Sequence, residues 1–322
     1  MAALAESRAE LVALVDLAPW QLDPTLDEAI RAWDRRLHWD FRSTAELVRN
    51  YIQMRALDGL ALISGGEVAG YCYWVHEGAK ALLGDLYVRE SWRTAAAENM
   101  LLGGAIRSLR ASRLPGAVSR IEAQLMQIGT RASALLPEGP QPRAFPRLFM
   151  LRPGGGPLPE ARTRLSGLRF THWDMRWRDA AAVLIANVYR DHVDSLINDQ
   201  YCSPQGAARF LLNIVQYPGC GAFLPAASQI ALDADGALAG LLLATRVAPR
   251  TGHIAQLCLR SDWIGSGLGY ELLRRSLTTL ADIGLDEASL TVTEENDRAI
   301  RLYERTGFHA IHRFDALVWE TG

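Results

Sequence analysis

The stretch His253–Gly269, HIAQLCLRSDWIGSGLG, narrows the possible folds more than any other part of the chain. An apolar run ends in a turn with glycines at 265, 267 and 269 and opens into a helical pattern. Where a strand passes through such a turn into a helix, backbone N–H groups converge without Cβ atoms in the way, and the helix adds the positive end of its dipole. That layout suits an anion such as a phosphate. Glycine turns also occur for packing alone, so the turn needs support from elsewhere in the chain.

Support lies about thirty residues on. Ser289–Phe308, SLTVTEENDRAIRLYERTGF, reads as a β-branched strand, Asn296 just past its end, an amphipathic helix carrying Leu302 and Tyr303, and Gly307 as the stop. Together the two stretches resemble motifs A and B of the GCN5-related N-acetyltransferase (GNAT) family. That pattern is L-x-V, a short loop, Q/R-G-x-G-x-G/A, a helix, a strand, then N-x-x-A-x-x-L-Y-x-x-x-G-F. Here it is carried by Leu257, Cys258 and Leu259, then Ile264, Gly265, Ser266, Gly267, Leu268 and Gly269, then Asn296, Ala299, Leu302, Tyr303, Gly307 and Phe308. Ile264 departs from the family's Gln or Arg, which removes one pyrophosphate contact and leaves the glycine amides.

The resemblance implies acetyl-CoA as co-substrate and no metal. It puts the pyrophosphate on residues 264–269 and the pantetheine arm along the backbone of Leu257, Cys258 and Leu259, with Asn296 and Tyr303 beside it. It implies that Tyr303 protonates the leaving thiolate. His253 stands where some members carry a catalytic Glu and is the expected base, with Glu294, Asp199 or a water chain as alternatives. Cys258 needs no nucleophilic role, because its contacts are backbone ones. The acceptor is expected to be a primary amine of a small molecule or peptide. Asp191, Asp194 and Asp199, on the helical stretch 180–201, could receive a cationic amine, but read more simply as a solvated face. An acyl-CoA-binding sensor without turnover is the alternative function.

The chain also repeats itself. Gly66-Glu67-Val68-Ala69-Gly70 returns as Gly236-Ala237-Leu238-Ala239-Gly240, and at an offset of 171 Leu86, Arg89, Trp92, Leu101 and Leu102 fall on Leu257, Arg260, Trp263, Leu272 and Leu273. The fold class expected is therefore α/β, with two tandem GNAT folds, each a mixed, mostly antiparallel sheet flanked by helices. The domains expected are residues 1–152, a linker at 153–166 beginning Pro153-Gly154-Gly155-Gly156-Pro157, and residues 167–322 with the acetyl-CoA site. Under the offset the three glycines fall on Thr94, Ala96 and Glu98, so the first copy puts a carboxylate where pyrophosphate would sit. Tandem members of the family show the same asymmetry, with the C-terminal copy active.

In the first half, helices are expected over 4–18, 25–37, 43–55 (capped by Ser43 or Thr44) and 95–111, and strands over 60–63, 68–75, 81–88, 119–125 and 148–152. A net charge of −2 lacks the concentrated positive field that nucleic acid or an anionic membrane surface selects. Cysteines 72, 202, 220 and 258 form no C-x-x-C pair and fit reduced, packed thiols. The acidic residues Glu6, Glu10 and Asp16 argue against a signal peptide or membrane span at the start, so a cytoplasmic monomer or homodimer is expected.

Overall fold

The computed structural model describes residues 9–111, 118–136, 139–154, 158–160 and 165–320. Residues 4–8 of the expected first helix, and 155–157 and 161–164 of the expected linker, lie outside them. The chain divides into two compact units, one of Met1–Arg36, Phe41–Pro146 and Phe314–Gly322, the other of Leu37–Asp40 and Arg147–Arg313.

The first unit opens with a correction. Residues expected as the end of a helix form strand β1 (Glu10–Ala13) and a 3₁₀ turn (Leu14–Asp16). The apolar residues that suggested one helical stripe instead serve a sheet edge, β1 pairing antiparallel with β2. Helix α1 (Pro19–Leu37), expected only from residue 25, starts at a proline, because the first helical turn has no use for the missing N–H. Helix α2 (Arg42–Gln53) follows Phe41 as N-cap, with no side-chain cap from Ser43 or Thr44. Strands β2 (Gly59–Ser64), β3 (Glu67–Glu77) and β4 (Lys80–Val88) form an antiparallel meander, α3 (Ala95–Ala111) crosses over, and β5 (Arg120–Gln124) pairs parallel to β4. The core lies between sheet and α3, where Leu86, Leu101, Leu102, Ala105, Ile121 and Trp319 are buried.

Strand β6 (Arg143–Arg152) enters the second unit at Arg147. Strand β7 (Arg169–His172), helices α4 (Arg178–Tyr189), α5 (Val193–Ile197) and α6 (Pro204–Gln216), and the short strand β8 (Ala222–Phe223) come next. Then β9 (Gln229–Leu232), β10 (Leu238–Ala248) and β11 (Thr251–Leu259) run antiparallel, α7 (Leu268–Asp282) crosses over, and β12 (Glu287–Thr293) pairs parallel to β11 and antiparallel to β6. Helix α8 (Asp297–Arg305) leads to β13 (His309–Glu320), which from Phe314 belongs to the first unit and pairs with β5. Leu268, Leu272, Leu273, Leu277 and Leu280 form the buried stripe of α7 over one face of this sheet. The other face carries α4 and α6 through Ala181, Ile185, Leu211 and Ile214. Each such buried leucine contributes about 2 kcal/mol.

The repeat extends to the elements themselves. At the offset of 171, β3 falls on β10, β4 on β11, and the turn Glu90–Trp92 on Ser261–Trp263. Hydrogen bonds repeat with them: Arg89 N–H to Ala69 O at 2.8 Å and Arg260 N–H to Ala239 O at 2.9 Å, Trp92 N–H to Arg89 O at 2.9 Å and Trp263 N–H to Arg260 O at 3.0 Å. Two of the four cysteines, 202 and 220, are exposed rather than packed, and all four are free. Among the described residues no helix is long and apolar enough to cross a membrane.

Candidate active site

The second unit opens where its two parallel strands part. Pairing of β11 with β12 runs from Thr251 opposite Glu287 to Ile254 opposite Leu290 and stops, although both strands continue. At that point Ala255 is the extra residue of a bulge against β10, between the pairs Ala244 with Ile254 and Leu243 with Gln256. A bulge bends and twists its strand, so Leu257, Cys258 and Leu259 leave β12 and keep only the β10 edge. The first unit repeats this at Leu83 opposite Ala123, with Gly84 at the bulge.

Past Leu259 the three glycines do different work. Gly265 and Gly267 have φ of 86° and 94°, left-handed values that strain any side chain, and a Cβ on Gly265 would meet nothing within 4 Å. Gly267 is the N-cap of α7, and Ser266 Oγ takes the Leu268 N–H at 3.2 Å while donating to Trp263 O at 2.7 Å. Gly269 serves packing, its Cβ position lying 3.3 Å from Leu259 Cδ1 and 3.4 Å from Leu302 Cδ2. The turn is thus open to a bulky anion at the start of a fifteen-residue helix, and its geometry fits a pyrophosphate. Ile264 is half exposed beside it.

In the first unit that place is filled from within. Glu98 is buried, and its carboxylate accepts the Gly129 N–H at 2.8 Å, the Thr130 N–H at 2.7 Å and the Thr130 hydroxyl at 2.5 Å.

Tyr303 is buried on α8, and its hydroxyl makes no hydrogen bond to the described residues. Burial first, and then the charge of Asp194, push its pKa up, so the phenol stays protonated and can donate. Asn296 caps α8, its Oδ1 accepting the Ala299 N–H at 3.1 Å. Cys258 points into the α4 and α6 face, where burial pushes its thiol up and makes it inert.

His253 is not placed as a base. Its ring packs against Trp39 (5.1 Å between centroids) and Phe149 (6.1 Å), and Nδ1 lies 2.9 Å from Ser289 Oγ. Burial, helped by Arg147, lowers its pKa to about 3, so the expectation that it titrates near neutrality fails. Of the alternatives, Glu294 is ion-paired with Arg313 at 2.6 Å.

Asp194, read from the sequence as part of a solvated face, stands beside Tyr303 instead. Within the helical stretch 180–201, α4 ends at Tyr189 and α5 starts at Val193, and the break turns Asp194 inward. Its side chain is 16 % exposed and accepts the Thr293 hydroxyl, so it is not part of a solvated face. His192 caps α5, its Nδ1 accepting the Asp194 N–H at 3.1 Å. That assignment leaves the ring proton on Nε2, which lies 3.4 Å from Asn296 Nδ2, also a donor because Oδ1 is taken. Two donors facing one another can share an acceptor oxygen from a ligand. Tyr189 stacks on Tyr201 at 4.6 Å and receives a hydrogen bond from Gln256 Nε2 at 2.9 Å. The only sequence signal for this group was the polar spacing of Tyr189, His192 and Asp194 in an otherwise helical run.

Among the described residues no three His, Cys, Asp or Glu side chains gather as a metal site.

The second unit thus joins a sheet that splays at a bulge to a glycine turn and helix on one side and a capped helix carrying a tyrosine on the other. Residues 191–308 match the acetyltransferase (GNAT) family. That match lies within the second unit. It is 38 % identical over 101 residues to a mycothiol acetyltransferase of Acidimicrobium ferrooxidans, which is 30 % of this chain and 32 % of that protein. It is 34 % identical over 74 residues to an uncharacterised N-acetyltransferase of Mycobacterium tuberculosis, 23 % of this chain and 47 % of the other. The chain thus spans about a third of the length of the mycothiol acetyltransferase and under half of the second relative. A GCN5-related N-acetyltransferase from Sphaerobacter thermophilus shares the fold along both chains (96 % and 95 % covered, TM-score 0.68, 18 % identity). So does a tandem GNAT protein from the clavulanic acid biosynthesis pathway (98 % and 99 %, TM-score 0.58, 16 % identity).

Proposed function

We propose that this chain transfers the acetyl group of acetyl-CoA to a primary amine of a small molecule or peptide, with the chemistry in the second unit. The observation that carries the reading is the left-handed turn at Gly265 and Gly267, at one end of the splayed strand and open to an anion, together with the unpartnered hydroxyl of Tyr303. The amides of residues 265–269 hold the pyrophosphate, and the released edge of Leu257, Cys258 and Leu259 holds the pantetheine arm and polarises the thioester carbonyl. The amine nitrogen bonds to the carbonyl carbon as the carbon–sulfur bond breaks, the thiolate takes the Tyr303 proton, and the proton lost by the amine passes to Asp194 or to water beside it. Asp194 replaces His253 in this role because it is the carboxylate that Tyr303 senses. A cytoplasmic setting and a monomer or homodimer remain part of the proposal.

The buried, neutral His253 favours a second reading, an acyl-CoA-binding sensor without turnover. Calorimetry with acetyl-CoA and a CoA-release assay over a panel of primary amines separate the two. One bound acetyl-CoA per chain with amine-dependent CoA release supports the enzyme. Binding without release supports the sensor, and two equivalent sites overturn the account of the first unit.

A further inference from the structure

Beside Asp194 the second unit holds a cation. Arg147, the first residue of that unit on β6, lies opposite Thr293 on β12. Strand residues two apart share a face, so β12 shows Thr291 and Thr293 to one side of the sheet, and the cross-strand partners Phe149 and Arg147 stand on that side with them. Each threonine holds one of the two charges. Thr293 donates its hydroxyl to Asp194 Oδ1, and Thr291 Oγ1, about 6.6 Å back along the strand, accepts Arg147 NH2 at 3.4 Å.

Both charges can be reached from solvent. Arg147, Thr291, Asp194 and His192 are each partly exposed, whereas Tyr303 is buried. Burial raises the pKa of Tyr201 and of Tyr303, Asp194 adds to the rise and Arg147 opposes it, so the two charges act on the same two phenols. A guanidinium in this position works against a plain amine. Where Asp194 receives an ammonium, a fixed positive charge held by the next threonine on the same face repels that cation and weakens its binding. The repulsion becomes attraction when the acceptor brings a negative charge of its own. A carboxylate suits the guanidinium, whose parallel N–H groups match its two oxygens.

We propose that the acceptor is an amino acid, a primary amine that also carries a carboxylate, with Asp194 facing its nitrogen and the Arg147 guanidinium holding its carboxylate. This assignment rests on the transfer reading, which puts the amine at Asp194. Arg147 then selects which amine is acetylated and leaves the bond-making steps to the groups already named.

The test uses the full chain, with CoA bound for melting and with acetyl-CoA for CoA release. The probes are the common α-amino acids, β-alanine and γ-aminobutyrate, each as free acid and as carboxamide, with phosphoethanolamine alongside. The expected result is at least one free acid that raises the melting temperature and is used about tenfold or more better than its own carboxamide in kcat/KM, the scale of one charge-assisted pair. Arg147→Gln should bring that ratio close to one and Arg147→Lys should keep part of it, while Asp194→Asn should weaken acid and carboxamide alike. An Arg147 that served only Tyr303 would, when lost, lower turnover on both by the same factor. An unchanged ratio in Arg147→Gln, equal use of acids and carboxamides by the parent, a preference for phosphoethanolamine, or no binding by any free acid overturns the proposal. A free acid that binds through Arg147 without CoA release keeps this site and removes the transfer reading, whereas CoA release from amines indifferent to a carboxylate does the reverse.

Discussion

In the proposed reaction Tyr303 is the proton donor, and its surroundings suit that part. A buried phenol whose pKa is raised by desolvation and by Asp194 holds its proton throughout the working range, so it acts as a donor. Tyr303→Phe keeps the ring, which packs 6.0 Å from Phe308, and removes only the hydroxyl. Turnover should fall about 10²-fold with acetyl-CoA affinity nearly unchanged, as steady-state kinetics beside calorimetry will show; an unchanged turnover number would mean that water protonates the thiolate. Tyr303 could be named from the sequence because a motif fixed its spacing. His253 was not, because its role depends on Trp39 and Phe149, which lie far away in sequence and bury it. Asp194 was named and then set aside as solvated, since helical periodicity cannot show a helix breaking between Tyr189 and Val193.

At the scale of elements, strands and helices with strong periodicity were read closely: α3 spans the expected residues 95–111, and β4 spans Lys80–Val88 against an expected 81–88. The first expected helix failed because a few apolar residues at helical spacing also fit a short edge strand, and only the presence of β2 as partner decides between them. The glycine turn was legible as a unit but not in its division of labour, which needs φ at Gly265 and Gly267 and the neighbours of Gly269. Its counterpart makes a prediction of its own. Glu98 ties α3 to the loop at Gly129 and Thr130, so Glu98→Gln, which turns an amide donor toward one of those N–H groups, should destabilise the first unit by about 1–3 kcal/mol. Hydrogen exchange should show faster opening at Gly129 and Thr130 with the second unit unaffected. No acetyl-CoA site should appear, since Thr94 and Ala96 still stand where the other copy has glycine.

For the whole molecule, one buried titratable group in each unit, Asp85 and His253, pulls stability in opposite directions as pH changes. In the first, burial raises Asp85 from 3.8 to about 6, only partly offset by the Tyr71 hydroxyl at 2.7 Å. The folded state therefore binds the extra proton between those values, so this contribution is complete below pH 3.8 and is lost as pH rises through 6. In the second, burial lowers His253 from 6.5 to about 3. There the unfolded chain binds the extra proton, so the contribution is complete above pH 6.5 and is lost as pH falls toward 3. Acidifying from pH 6.5 to 4 should stabilise the first unit through Asp85 and destabilise the second through His253, each by a few kcal/mol at most at about 1.4 kcal/mol per pKa unit. Other groups titrate in the same range, so the comparison is between variants: Asp85→Asn removes the first slope and His253→Gln the second. Melting or hydrogen exchange followed in each unit from pH 7 to 4 should show the difference between parent and variant running with opposite sign in the two cases. The same sign in both would mean that one of the two groups is open to solvent, and for His253 it would restore the histidine as a base that can titrate during turnover.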